Sequence, residues 1–436
     1  MRCATPKGPS VLAQKLLKRL PHVQQELVET ATVLGGQRGV VVYLVGGPVR
    51  DLALGSASTD LDLTVAGDAL AYAKALAAQL GARVTIHRKF GTATLVLQDG
   101  LRLDVATARR EFYAHPAALP DVSPGTIEED LFRRDFTINA MAVRLAPQGG
   151  ELLDPFGGLK DLERGLLRAL HEGSYRDDPT RIFRGARYSA RYRLRFSRRD
   201  RRLIRSVLAE KVLKRLSKDR LFHELKLVLG EPRPEAVLLI LRKLGVLSSL
   251  DPALEPGPST NAQMRRIRRA WERYHHLGIL PEPRLWCLYL LVLLLSVTPG
   301  IRHRVGGHLG MKGPPLDVLM MELRELPRLQ EKLNQKQLRA SRLRQLLDCV
   351  SRELRLLVWA IGGGRVRKRV DRYLTRLASV RPALTGQDLK RLGFPPGPTY
   401  RRILDLLLEG RLDGRLRSRE EEINFLRQRF GRRYRI

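Results

Sequence analysis

The chain has 436 residues, 43% hydrophobic and 28% charged, which is enough for two or more domains with sizeable buried cores. Wholesale disorder and a single small module are both excluded by these values. Lys and Arg number 79 against 45 Asp and Glu, and the excess is uneven: residues 1 to 160 carry 18 basic and 16 acidic side chains, residues 161 to 436 carry 61 and 29. The strong positive charge of residues 161 to 436 favours a polyanionic partner, with nucleic acid as the leading candidate.

Cysteine content and hydropathy indicate an intracellular protein without a membrane span. The three cysteines, Cys3, Cys287 and Cys349, are too few and too scattered for a disulfide framework or a zinc site. The longest apolar stretch, Leu285 to Val297, is shorter than the roughly 20 residues that cross a bilayer, so it predicts a buried helix. Residues 1 to 20 contain no apolar signal core. We expect a cytoplasmic protein, with a short basic leader as the alternative in a eukaryotic source.

The first part of the chain alternates strand and helix patterns from about residue 40 to 146. The predicted elements are a strand at Val40 to Val45, a helix at Ala69 to Leu80, and strands at Thr92 to Leu97 and Leu101 to Val105 on either side of the turn Asp99-Gly100. Such alternation predicts an α/β or α+β unit.

Beyond residue 160 the periodicity becomes helical, and no convincing strand is expected there. The predicted helical segments are Leu203 to Leu229, Pro234 to Leu244, Arg284 to Val297, Leu316 to Leu333 and Leu338 to Ala360. Pro and Gly clusters at Asp251 to Ser259, Pro299 to Pro315 and Phe394 to Pro398 predict linkers.

Carboxylates at alternate positions of a strand form the first candidate site. In Asp60-Leu61-Asp62-Leu63, the two aspartates share one face of the strand while the leucines point to the core. Two adjacent carboxylates repel unless a cation compensates them, so they are candidate Mg²⁺ ligands. Asp104, on the strand Leu101 to Val105, is a possible third acid, with an exposed structural aspartate as the equally weighted alternative.

A glycine pair follows the first predicted strand directly. Gly46 and Gly47 allow the backbone to approach a triphosphate closely and offer it N–H groups, and Arg50 follows one helical turn later. The combination predicts a phosphate site beside the metal site.

Four ordered motifs together resemble one family, the polymerase β-like nucleotidyltransferases, and within it the class II tRNA CCA-adding enzymes and bacterial poly(A) polymerases. The motifs are Gly46-Gly47-x-x-Arg50-Asp51 with Asp60-x-Asp62, Arg133 to Ala140 (RRDFTINA), Asp154 to Gly158 (DPFGG) and Asp177 to Arg184 (DDPTRIFR). This resemblance implies an α+β protein with a mixed-sheet catalytic head at residues 1 to 160. It also implies an all-helical remainder, with a neck at 161 to 250, a body at 251 to 360 and a tRNA-binding tail at 361 to 436.

The same resemblance implies a role for each matching residue. Asp60 and Asp62 would hold Mg²⁺, and Asp104 would act as a ligand or a base. The implied nucleotide-binding residues are Gly46, Gly47, Arg50, Arg134, Asp135, Asp178, Arg181, Arg184 and Arg187. Gly47 and Arg50 would hold the triphosphate, and Arg134 and Asp135 would meet the ribose. Asp178 and Arg181, three residues apart on one helix face, would select C and A by accepting from an amine and donating to a ring acceptor.

The function implied is addition of C, A or both to the tRNA 3′ end from CTP and ATP, with release of pyrophosphate. A poly(A) polymerase or a specialised A-adding or CC-adding enzyme shares every motif, and a non-catalytic RNA-binding protein is the alternative of another class. Two features bear on this choice: Asp177 replaces the family's usual Glu, and residues 109 to 133 correspond to the family's flexible loop. Basic residues between 186 and 220, and a Gly/Pro turn before Arg401 and Arg402, predict contacts with the tRNA backbone.

Overall fold

The computed structural model describes residues 11–56, 61–147, 149–276, 278 and 284–431. The predictions for Cys3 and Asp60 therefore lie outside the described residues. The chain divides into two compact units, one formed by Met1–Glu224 with Ala236–Leu250 and the other by Leu225–Glu235 with Asp251–Ile436.

A mixed seven-stranded sheet forms the centre of the first unit. The strands in chain order are β1 Val41–Val45, β2 Leu61–Ala66, β3 Arg83–His87, β4 Thr92–Val96, β5 Arg102–Thr107, β6 Arg109–Phe112, β7 Asp121–Pro124, β8 Ala142–Ala146, β9 Glu151–Leu153, β10 Leu166–Leu167 and β11 Arg195–Phe196. The sheet has the order β3-β4-β5-β2-β1-β8-β9, and β6 and β7 form a separate hairpin. Within the sheet β2 and β5 run parallel and the other neighbours run antiparallel, so the predicted mixed sheet is confirmed.

Helices occupy most of the remaining chain of this unit. They are α1 Val11–Leu17, α2 His22–Arg38, α3 Gly47–Ala53, α4 Ala69–Leu80, α5 Ile127–Phe132, α6 Gly158–Glu163, α7 Ser174–Asp177, α8 Thr180–Tyr192, α9 Arg198–Ala209, α10 Lys218–Leu229, α11 Pro234–Lys243 and α12 Val246–Leu250, with 3₁₀ turns at Arg88–Phe90, Thr137–Asn139 and Val212–Arg215. The last residues of α10 and the first residues of α11 belong to the second unit.

The second unit is helical throughout its described residues. It contains α13 Pro258–His276, α14 Leu285–Leu295, α15 Arg302–His308, α16 Pro314–Asn334, α17 Ala340–Asp348, α18 Arg352–Ile361, α19 Gly364–Arg372, α20 Gly386–Arg391, α21 Pro398–Leu412 and α22 Arg419–Phe430, a 3₁₀ turn at Pro299–Ile301 and a π-helical turn at Tyr373–Leu377. The apolar helix α14 packs against α13 and α18, as a buried helix should. Within the described ranges, no helix is both long and apolar enough to cross a membrane.

Three sequence expectations need correction. The segment Leu203 to Leu229 is not one helix, because Lys211 adopts a left-handed φ of 56° and separates α9 from α10. Leu338 to Ala360 is also divided, since the Ser351 hydroxyl accepts a hydrogen bond from the Leu354 N–H and so starts a new helix, α18. Two strands do occur after residue 160, β10 and β11, but each has two residues, too few for an alternating pattern to be visible.

Alternation along the central strands gives the sheet two different faces. Leu61, Leu63 and Val65 of β2 belong to a large apolar core that also includes buried residues of α2 and α4. The residues between them, such as Asp62, point to the opposite face. One face is thus committed to the core, and the other is available for polar chemistry.

Candidate active site

Two of the predicted acids lie side by side on the open face of the sheet. Asp62 of β2 and Asp104 of β5 are register partners on neighbouring parallel strands, which places both side chains on the same face. One Asp104 oxygen accepts a hydrogen bond from the Thr94 hydroxyl at 2.6 Å, and the other forms an ion pair with Arg102 at 3.0 Å. These strand neighbours fix Asp104, and both acids line one cavity of about 330 Å³.

Carboxylate oxygens are the donors that a hard divalent cation prefers, so the chemistry of Asp62 and Asp104 fits such an ion. Among the described residues, a set that lacks Asp60, no group of three or more His, Cys, Asp or Glu side chains is placed to hold a metal. The assignment of Asp60 and Asp62 as metal ligands stays a prediction.

Gly46 allows an arginine to lie directly against the backbone at the start of α3. Its φ of 73° and ψ of −123° suit glycine, and a Cβ built on it would lie 2.3 Å from Nη1 of Arg134. Arg134 also donates to the Asn139 carbonyl at 3.4 Å and to Asp130 at 3.0 Å. Its Nε is buried and has no hydrogen-bond partner among the described residues.

Asp130 anchors both arginines of the RRD motif. It is completely buried and forms ion pairs with Arg133 at 2.8 Å and with Arg134 at 3.0 Å. Burial alone would raise the pKa of Asp130, but Arg134 and Arg133 outweigh it and hold this pKa below its ordinary value. The carboxylate therefore stays ionised and orients Arg134 toward the cleft.

Arg50 is more enclosed than the sequence suggested, with 5% of its surface exposed. It donates to Asp51, to the Asn139 side chain at 2.6 Å and to the Tyr192 hydroxyl at 2.7 Å. The guanidinium also lies over the rings of Tyr192 and Tyr188, at 4.5 and 5.2 Å. Arg50 thus ties α3 to α8, and its contact with a triphosphate stays a prediction.

Asp135, the predicted ribose acceptor, is buried at the wall of the same cleft. Its Oδ1 accepts from the Phe136 N–H and from the Asn139 amide, and its Oδ2 accepts from Arg184 at 2.8 Å. Burial would raise the pKa of Asp135, yet Arg184 and Asn139 keep this pKa below its ordinary value. Asp135 is therefore an ionised hydrogen-bond acceptor that is held in one orientation.

Asp178 does not share a helix face with Arg181, contrary to the sequence expectation. Pro179 requires an extended residue before it, and Asp178 has φ −134° and ψ 95°, so α8 begins only at Thr180. Asp178 Oδ1 accepts from the Thr180 N–H and hydroxyl and from Arg220 at 2.8 Å. The carboxylate of Asp178 is thereby fixed at the wall of the cleft described below.

Arg181 is held just as firmly. It is buried, and it donates to the Ser174 hydroxyl at 2.6 Å and to the Arg133 carbonyl at 2.8 Å. The hydroxyl of Tyr113 lies 3.5 Å from its Nη2. Asp178 and Arg181 are therefore brought together as predicted, although by a proline turn rather than by helical spacing.

One cleft of about 470 Å³ unites most of the predicted nucleotide-binding residues. Its lining includes Gly47, Arg50, Asp62, Arg134, Asp135, Asp178, Arg181, Arg184 and Arg187. Gly46 lies against Arg134, which is a residue of the cleft wall. Asp104 lines an adjoining cavity, and the lining of that cavity also includes Asp62 and Arg134.

Sequence reasoning missed several residues of this cleft. They are Glu111, Tyr113, Asn139, Tyr188 and Glu224 on its lining, and Arg220 behind Asp178. Asn139 belongs to the RRDFTINA motif, so that motif offered a signal for it. Arg220 and Glu224 offered none, because they lie on α10, among basic residues that were expected to face RNA.

Acidic side chains on the open face of the sheet, beside a cleft lined by arginines, suit nucleotidyl transfer, and the comparisons with known proteins assign the chain to the nucleotidyltransferases. The protein-family model described as the poly A polymerase head domain matches residues 42–168 of this chain. The chain is 35% identical over 422 residues to the A-adding tRNA nucleotidyltransferase of Geobacter sulfurreducens, covering 93% of this chain and 47% of that relative. It is 34% identical over 431 residues to the CC-adding tRNA nucleotidyltransferase of Deinococcus radiodurans, covering 98% of both.

The fold agrees with these relatives. The Thermotoga maritima CCA-adding enzyme complexed with tRNA superposes with a TM-score of 0.75 at 30% identity, over 97% of this chain and 99% of that one. The chain belongs to the family of class II tRNA CCA-adding enzymes and bacterial poly(A) polymerases.

Proposed function

We propose that the protein adds C, A or both, without a nucleic-acid template, to the 3′ end of tRNA, using CTP and ATP and releasing pyrophosphate. The observation that carries this proposal is the pair Asp178 and Arg181, each fixed by neighbouring residues and both in the cleft that contains Asp62 and Arg134. Relatives that are named for A addition and CC addition, and a structural neighbour complexed with tRNA, support the substrate class.

Base selection follows from the orientation of these two side chains. Oδ2 of Asp178 accepts from an exocyclic amine, and Arg181 donates to the neighbouring ring acceptor. Cytosine and adenine present both groups, whereas uracil and guanine present a carbonyl, which would face the carboxylate and lose on the order of 1 to 3 kcal/mol. Since Arg220 and Thr180 hold Oδ1, the protein itself serves as the template.

Phosphate binding is the role proposed for the cations of the cleft. Arg50 would hold the triphosphate together with Gly47, while Arg184 and Arg187 line the same wall from α8 and would help to hold the incoming nucleotide. Asp130 and Asp135 keep Arg134 and Arg184 in place. Arginine suits this task because its fork matches phosphate oxygens.

Mg²⁺ is the divalent ion that we propose for the site, with Asp60 and Asp62 as ligands and Asp104 as a third acid. When bound, the ion would lower the pKa of the RNA 3′-hydroxyl and neutralise charge on the triphosphate. Asp62 would hold the ion on the open face of the sheet, and Asp104, its register partner, lies beside it as the third acid, a ligand or a base.

The exposed basic residues after the cleft are the proposed tRNA-holding surface. The exposed members are Arg191, Arg193, Arg195, Arg198, Arg201, Arg202, Arg205, Lys211, Lys214, Arg215 and Lys218. In the second unit, Arg401 and Arg402 are exposed near the start of α21, after the Gly/Pro turn. Backbone contacts from such surfaces suit a folded RNA that is recognised by its shape.

Addition of A alone is the second candidate, because the Geobacter relative carries that name. One experiment separates the candidates: tRNA lacking its last three nucleotides and tRNA ending in CC are each incubated with CTP, ATP or both, and the products are sized. An A-adding enzyme extends only the CC-ended tRNA, a CC-adding enzyme stops after two residues, and a poly(A) polymerase produces long tails from ATP.

The control variants are Asp62→Asn and Glu163→Gln, the latter an exposed carboxylate of α6. Asp62→Asn should abolish extension while tRNA binding persists, and Glu163→Gln should behave as wild type. Absence of any Mg²⁺-dependent extension by the wild type would instead favour a non-catalytic RNA-binding protein.

A further inference from the structure

Glu224 of α10 is a buried acid in the cleft that no motif explains. Its residue surface is 8% exposed, and it lines the cleft with Asp178 and Arg181. Its Oε2 is buried and has no hydrogen-bond partner among the described residues. Nη1 of Arg187 lies 3.9 Å from this oxygen, which is too long for a hydrogen bond.

An unpaired buried carboxylate oxygen is unfavourable and needs an explanation, because burial removes the water that would otherwise solvate it. Burial indeed raises the pKa of Glu224, although Arg184 and Arg187 oppose the effect. A missing partner at the wall of a ligand cleft is explained if the ligand supplies it.

The position of Glu224 indicates which part of the ligand it faces. Arg220, one helical turn earlier on α10, donates to Asp178 at 2.8 Å. Glu224 and Asp178 line the same cleft, and Arg220 connects Asp178 to the helix that carries Glu224. Glu224 therefore faces the part of the ligand that Asp178 is proposed to read.

We propose that Oε2 of Glu224 accepts a hydrogen bond from the exocyclic amine of the bound base and is a second specificity-determining residue beside Asp178. This inference rests on the proposed function. An exocyclic amine carries two hydrogens and so serves two acceptors at once, whereas a carbonyl at that position would meet two acceptors. Glu224 would thereby strengthen the rejection of uracil and guanine.

The test compares Glu224→Met, which removes the acceptor at similar side-chain length, with Glu224→Gln, which retains one carbonyl acceptor. For each, kcat/KM is measured with CTP, with ATP, and with the triphosphates of 2-pyrimidinone riboside and purine riboside, which lack the amine. Glu224→Met should lower kcat/KM for CTP or ATP on the order of 10-fold to 100-fold. It should change the value for the amine-free analogues little, and Glu224→Gln should recover part of the loss.

Three outcomes overturn the inference. An equal loss with all four nucleotides means that Glu224 acts through Arg187 and not on the base. A loss that disappears with 2′-deoxy or 3′-deoxy nucleotides, but not with amine-free ones, assigns the acceptor to the ribose. Unchanged discrimination in Glu224→Met, with Glu163→Gln as the matched control, removes any role in recognition.

Failure of the proposed function is distinguishable from failure of this inference. If the wild type extends no tRNA, the proposed function is contradicted, and equilibrium binding of CTP and of its amine-free analogue to wild type and Glu224→Met still tests the contact. A loss of CTP affinity that is absent for the analogue supports it, and equal affinities overturn it. Thermal unfolding of each variant identifies any that fail to fold.

Discussion

The contact between Gly46 and Arg134 leads to a sharp prediction for Gly46→Ala. The new Cβ would lie 2.3 Å from Nη1 of Arg134, so the guanidinium must move by about 1 Å to restore ordinary contact. A misplacement of that size costs about 100-fold in rate when it affects a group that positions substrate. The backbone adds a cost of about 1 to 3 kcal/mol in stability, because φ 73° with ψ −123° suits glycine alone.

Gly81→Ala is the control for the backbone effect. Gly81 ends α4 with a φ of 61°, and a Cβ there would meet nothing within 4 Å. It should lower the midpoint of thermal unfolding by a few degrees, because a left-handed alanine costs about 1 to 2 kcal/mol, and it should leave kcat/KM unchanged. Steady-state extension of tRNA with CTP and ATP, measured beside thermal unfolding, separates the two effects.

A double-mutant cycle with Arg134→Ala tests the cause directly. If Gly46→Ala acts by displacing Arg134, it should have little further effect on kcat/KM once that side chain is gone. Full additivity of the two changes would refute this reasoning, and so would wild-type kcat/KM in Gly46→Ala alone.

Two further predictions concern the anchors behind the site. Arg220→Met removes a charged donor from Asp178, so discrimination of C and A against U and G should fall about 10-fold to 100-fold in competition assays, and unchanged discrimination would exclude this role. Asp130→Asn removes the buried charge that Arg133 and Arg134 share, although Arg133 keeps Glu111 at 2.9 Å, and it should cost about 3 kcal/mol at neutral pH. Because the pKa of Asp130 is lowered in the fold, its stabilisation is present above the unfolded carboxyl pKa and is lost as pH falls through the folded pKa. The difference between wild type and variant in thermal unfolding should therefore shrink below about pH 4, and a constant difference would contradict the ion pairs.

The head could be predicted well because its strands are amphipathic. Leu61, Leu63 and Val65 alternate with polar residues, and this period fixes which face Asp62 occupies and that Asp104 joins it from β5. The helix Ala69 to Leu80 was predicted to the residue, because Asp68 caps its start and Gly81 ends it in a left-handed conformation. Local signals of this kind need no knowledge of the rest of the chain.

Residues that meet across long separations could not be predicted in the same way. Arg50 is bound by Asn139 and Tyr192, which lie 89 and 142 positions later in the chain. No local pattern indicates that a motif arginine will be held by an aromatic residue of α8. A motif gives the type of side chain that the chemistry needs, but the partners of that side chain depend on packing.

The helix α10 shows how composition hides function. Its residues Arg220 and Glu224 follow a run of exposed basic residues, and composition assigns the whole run to RNA binding. The fold divides the run, because Lys211 and the turn after it end α9, and α10 then brings Arg220 to Asp178. A charge in such a run therefore has one of two roles, and its burial and its partner decide which: Arg205 is exposed, while Arg220 orients Asp178.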